Sequence, residues 1–192
     1  MAGEPRRVVV AIAALIGVLG SGLLRGVMIG AIISLLQILR HASQPHVAVL
    51  GCIPGTRRFS DLERHADNQP IPGVMVFRPE ASLVYFNIDG VCDRIRERIC
   101  TAPATTRLVV LDLSASPQVD LQSADTLGLL ADELTAAGIH VQAVETHASV
   151  RDMLRSQGLE ARLGGINRFH SVAEIVDSVP ASHAEPGPIL TG

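Results

Sequence analysis

The chain has 192 residues, 47% of them hydrophobic, with sixteen basic against nineteen acidic residues and a formal charge of −3. Every basic residue is arginine, and beyond Arg40 twelve arginines face eighteen acids, a balance that excludes a basic nucleic-acid-binding surface. One Tyr, four Phe and no Trp exclude base-stacking platforms as well, and Cys52, Cys92 and Cys100, none in a CxxC pair, fit a reducing compartment better than a disulfide framework.

Residues 8–39 hold thirty-two residues with one charge, Arg25. As a single helix they would rise roughly 48 Å, long for one crossing of a hydrocarbon layer about 30 Å thick and short for two. Gly20, Gly22 and Gly26 weaken a helix interior around Arg25, and an arginine at the bilayer centre costs at least about 2.5 kcal/mol. A turn over Gly20–Gly26 would lift Arg25 to the lipid–water boundary. The expected arrangement is a transmembrane helical hairpin within residues 7–40, with helices over roughly Arg7–Leu19 and Gly26–Leu39. Arg6 and Arg7 at one end, and Arg40 with His41 at the other, put both ends in the cytoplasm. A single tilted span with Arg25 snorkelling or buried is the alternative. A signal peptide lacks an A-x-A-like cleavage site here, and a buried core helix would need more surrounding protein than the remainder supplies.

Residues 41–72, punctuated by four prolines and two glycines, read as a cytoplasmic connector whose one continuous apolar patch is Val47–Leu50. From residue 73 to 180 the pattern becomes regular. Val74–Phe77 and Leu83–Phe86 are predicted as short strands around a polar turn, and Asp89–Cys100 as a helix burying Val91, Ile95 and Ile99. Leu108–Leu111 is uniformly apolar, as befits a central strand covered on both faces. The helix over 123–137 carries Leu127, Leu130, Leu134 and Ala137 on one stripe and stops at Gly138. A strand at His140–Val144, a helix at Ala148–Gln157 ended by Gly158, and an edge strand at Ile166–Phe169 follow. The last helix opens with Ser171 and Glu174 at capping-box spacing and buries Val172, Ile175, Val176 and Val179. Strands alternating with helices give an α/β domain with a partly parallel sheet. Residues 181–192 are expected to form a disordered tail.

Catalytic signatures are missing from the sequence: there is no GxSxG, no GxGxxG after a strand and no GxxxxGK, and the seven histidines show no metal-ligand spacing. Gly51–Thr56 has the glycines of a phosphate loop but not its lysine. No catalytic residue, metal ligand or cofactor is therefore assigned, and the chain is not expected to be an enzyme. One segment stands apart, Asp112–Asp125, which joins the most buried strand to the best helix. Helix N-termini offer free N–H groups and a positive dipole end, so Asp120, Gln122, Ser123 and Asp125 form a candidate regulatory or anion-binding loop. The plainer reading is that Asp120 or Ser123 caps the helix and Asp125 favours its dipole.

These segments resemble the carboxyl-terminal part of a sulfate permease (SulP) family transporter, its last transmembrane segments followed by a STAS domain, named for sulfate transporters and anti-sigma factor antagonists. The resemblance rests on Gly26, Gly30 and Ser34, on the run Leu39–His46 into Val49–Thr56, on Pro72–Phe77 and Tyr85–Asn87, and on Val110–Asp112 with Val119–Asp120. It implies a cytoplasmic regulatory STAS domain hung from a transporter of sulfate or a related inorganic anion in a bacterial inner (plasma) membrane. The implied partners are the lipid bilayer, further transporter helices or a homodimer partner, and a cytoplasmic regulator. The family's substrate site lies among earlier helices, so no substrate-binding residue is carried over and transport by this chain alone is not expected. In anti-sigma antagonists the phosphorylated serine follows the loop aspartate by two positions; here that position is Gln122, and Ser123 stands where glycine is usual. A membrane-tethered STAS interaction module is the alternative function.

Overall fold

The computed structural model describes residues 8–13, 15, 23–43, 45–102 and 106–179. The chain divides into two units between Gln44 and Pro45.

In the first unit residues 8–13 are helical, and α1 runs over Leu23–Ala42. At 100° per residue, the exposed apolar side chains of α1, among them Leu24, Val27, Met28, Leu35, Leu36 and Leu39, cover more than half of its circumference. Gly26 on the remaining arc is buried. Among the described residues no helix is long and apolar enough to cross a membrane. Arg25 lies inside the first turn of α1 and not in a connecting turn: Leu23 and Leu24 are strong helix formers and carry the helix through Gly26. The rest of the expected turn, residues 20–22, lies outside the described residues, as does the expected tail at 181–192.

The second unit is built on one five-stranded mixed sheet: β1 (Val47–Cys52), β2 (Phe59–Asp61), β3 (Val74–Pro79), β4 (Leu108–Asp112) and β5 (His140–Val144), in the order β2-β1-β3-β4-β5. β1 runs antiparallel to β2 and β3, whereas β3, β4 and β5 are parallel. Parallel neighbours need crossovers, and these are α2 (Ile88–Thr101) and α3 (Leu121–Ala136); α4 (Ala148–Ser156) and α5 (Val172–Ser178) complete the chain. The period of two along each strand divides the core. Val47, Phe77, Val109, Leu111, Val141 and Ala143 face α2, α3 and α4. Ala48, Leu50, Val74, Val76, Val110 and Val144 face the other way, where Val172, Ile175, Val176 and Val179 of α5 and its end cover them. β4 is thus apolar on both sides, and its parallel pairing with β3 and β5 uses both backbone edges.

Three expectations are corrected. Residues 41–72 are not merely a connector, because they supply β1 and β2; the short patch Val47–Leu50 alternates between two cores and pairs with Val76–Pro79. Leu83–Phe86 is not a strand. Only Leu83 is buried, bridging to Val119, and Asn87 turns the chain by accepting from Val84 N (2.9 Å) and donating to Ser82 O (2.9 Å). Ile166–Phe169 is not a strand either: Ile166 plugs the core while Asn167 Oδ1 accepts from Phe169 N and His170 N. That segment still engages β5, since Ala143 N donates to Leu163 O (3.1 Å) and Glu145 N to His170 O (3.1 Å). The Ser171–Glu174 capping box is formed as expected, and Gly138 ends α3 with φ of 80°.

Candidate functional site

The loop between β4 and α3 is held at both ends and in the middle. Asp112, at the carboxyl end of β4, is buried. Its Oδ2 accepts from Nε (2.9 Å) and Nη2 (2.6 Å) of Arg78 on β3, and its Oδ1 from Ser114 N (2.9 Å). Ser116 Oγ donates to Pro79 O (3.2 Å), and the His147 ring meets Ser114 O at 2.9 Å. Leu83 N donates to Gln118 O and Asp120 N to Leu83 O. Such a segment is a rigid ledge at the carboxyl ends of the parallel strands.

At its far end Asp120 is the N-cap of α3: Oδ1 accepts from Ser123 N (2.8 Å) and Oδ2 from Tyr85 N (2.8 Å). Burial pushes the Asp120 carboxyl up, but Ser123 and the Tyr85 N–H outweigh it and hold the group below the usual carboxylate range. The bond from Ser123 is made by its backbone N–H, since its Oγ is buried without a hydrogen-bond partner. Gln122 and Asp125 are exposed. The structure therefore joins Asp120 and Ser123 in a helix cap and leaves Gln122 and Asp125 facing solvent. An ionised carboxylate already occupies the helix N-terminus, which works against a bound anion there. Ser123, fully buried, would need local opening before any enzyme modified it.

No local pattern announces what surrounds this cap. Tyr85, 69% exposed, and Phe86 meet edge to face with centroids 5.5 Å apart, and Leu121, 54% exposed, starts the neighbouring helix. The apolar run around Leu83 was the only available signal, and it read as a strand. Among the described residues no group of three or more His, Cys, Asp or Glu side chains is placed to hold a metal ion. Cys92 is buried in α2, where burial pushes its thiol up to about 12, so it is protonated at neutral pH; Cys100 is exposed.

Comparison with known proteins is consistent across sequence and fold. A family profile described as the STAS domain matches residues 65–175. A probable sulfate transporter of Mycobacterium tuberculosis (strain ATCC 25618 / H37Rv) is 29% identical over 168 residues, covering 88% of this chain and 30% of that protein. Sulfate transporter 1.3 of Arabidopsis thaliana is 29% identical over 164 residues, covering 80% of this chain and 24% of its own length. The chain thus spans less than a third of the curated relatives it matches. The murine Solute Carrier 26 family member A9 anion transporter, in its inward-facing state, superposes with a TM-score of 0.73 at 17% identity, covering 92% of this chain and 30% of that one.

Proposed function

We propose, from the premise that this chain belongs to the STAS domain family, that it is the regulatory carboxyl-terminal part of a SulP-type transporter of sulfate or a related inorganic anion. One observation carries the reading. The likeness to the Mycobacterium tuberculosis relative takes in 88% of the chain, a share that Pro45–Gly192 cannot supply alone. It therefore reaches into the apolar unit and is not confined to the STAS domain. The first unit is then a helical hairpin seated in the plasma membrane. The exposed apolar arc of α1 supports this, and Arg6, Arg7 and Arg40 support ends that both face the cytoplasm. The STAS domain is then cytoplasmic, and transport needs further helices or a second copy to enclose a substrate site at the bilayer midplane.

The exposed Tyr85, Phe86 and Leu121 beside the rigid Asp112–Asp120 ledge favour a regulatory partner docking around Asp120, Gln122 and Asp125, a surface that a tethered interaction module would share. The test is fractionation followed by reconstitution. The full chain should pellet with membranes after a high-salt wash, and liposomes containing it alone should take up no sulfate. Recovery in the supernatant would overturn the membrane reading, and uptake by the chain alone would overturn its dependence on further helices.

A further inference from the structure

The β1–β2 turn, the ends of β3, β4 and β5 and the start of α5 enclose a solvent-open cavity of about 420 Å³, within the range of about 300–1,000 Å³ common for small-ligand sites. Five charged side chains line it: Arg57, Arg58, Arg78, Asp112 and Glu145. Three are already engaged, Arg78 with Asp112 at 2.6 Å and Arg57 with Asp177 outside the cavity. Among the described residues the Arg58 and Glu145 side chains have neither an ion pair nor a hydrogen bond, and they carry opposite charges.

Glu145 is held there against its backbone preference. It is the one non-glycine with positive φ (53°) among the described residues, a conformation glycine would adopt without strain. Strain at a non-glycine residue is a reason to ask what its side chain is for.

We propose that this cavity binds a small zwitterion, with the ligand's anionic group on Arg58 and its ammonium group on Glu145. The charged groups acting on Glu145 are Asp112 on β4, Arg78 on β3 and Glu174 on α5; the loop before α5 meets it through the His170 carbonyl. Burial first, then Asp112 and Glu174, push the Glu145 carboxyl up against the pull of Arg78. Arg78 alone does not offset burial and the two neighbouring acids, and an ammonium group adds the counter-charge that is missing. Arg58 offers a fork suited to a carboxylate or sulfonate, and the half-buried Phe59 with Val172 gives the ligand's carbon skeleton an apolar wall.

The test is calorimetric titration of the full chain in detergent micelles, with L-alanine and taurine as probes and acetate, sulfate and methylammonium as single-charge comparisons. The zwitterions should bind at least about tenfold more tightly than any single-charge ion, and Arg58→Gln and Glu145→Gln should each weaken them by about tenfold or more. Affinity should fall as the pH is lowered and Glu145 takes up a proton, the loss beginning above the ordinary carboxylate range, and this slope should vanish in Glu145→Gln. Glu145→Gly should raise the melting temperature by relieving the backbone while losing affinity as Glu145→Gln does. Sulfate binding as tightly as taurine and indifferent to Glu145→Gln would make this an anion site and overturn the proposal. Absence of binding by both zwitterions at about 10 mM would overturn it too. So would a lower melting temperature for Glu145→Gly, which would give Glu145 a structural role.

Discussion

Asp120 illustrates how one side chain sets local order. A single carboxylate caps α3 through Ser123 N and fixes the Tyr85 turn 35 residues earlier in the chain. Asp120→Ala removes both bonds and should cost about 1–2 kcal/mol, read as a shift in the urea midpoint at constant slope. Because the folded state holds this carboxyl below its ordinary range, its contribution is present above the unfolded pKa and is lost as pH falls through the folded value. Acidification below about pH 4 should therefore destabilise the parent more steeply than Asp120→Asn. Arg78 and Asp112 form a less forgiving pair, since Asp112 is buried. Arg78→Met strands that charge and should cost about 3 kcal/mol in the same denaturation assay. Thiol chemistry separates the cysteines on similar grounds: Cys100 should react with a thiol reagent in the folded state, whereas Cys92 should react only on unfolding.

Among the elements, β1 depends on a glycine that the sequence pattern cannot explain. A Cβ at Gly51 would lie 2.4 Å from Leu62 Cδ2 and 2.8 Å from the Gln69 carbonyl oxygen. The Leu62 side chain can move, but the backbone carbonyl has less freedom. Gly51→Ala should cost about 1–3 kcal/mol, measured by thermal unfolding, and loosen the Cys52–Gln69 bridge. The same strand shows why parts of the fold were hidden. β4 and α3 were legible because a continuous apolar run and leucines at three- and four-residue spacing report their own burial. β1 was not, because its apolar stretch is short, flanked by Pro45 and Pro54, and gains meaning only through Val76–Pro79 on another strand. Leu83–Phe86 and Ile166–Phe169 failed in the opposite direction. Each has strand-like composition, yet only Leu83 and Ile166 enter the core while Tyr85 and Phe169 face solvent. For the candidate loop, the capping role of Asp120 was legible from local spacing. The cavity joins residues 57–58 with residue 145, and no local periodicity can announce such a meeting.

At the scale of the molecule, the domain starts where β1 starts. A piece covering residues 45–179 should be monodisperse and unfold in one cooperative transition. A piece starting at Ile71 lacks β1 and β2 and leaves β3 with unpaired backbone groups beside the apolar Val74 and Val76. That shorter piece should aggregate or melt at a lower temperature, measurable by light scattering and calorimetry. The far side of the sheet is arranged differently. β5 already gives its outward N–H groups at Ala143 and Glu145 to the carbonyls of Leu163 and His170. A foreign strand approaching that flank finds the N–H groups of Ala143 and Glu145 already taken, so at these two positions neither a peptide nor a second copy gains a main-chain donor. Recognition there falls to side chains, where single substitutions can retune a partner without disturbing the fold beneath it.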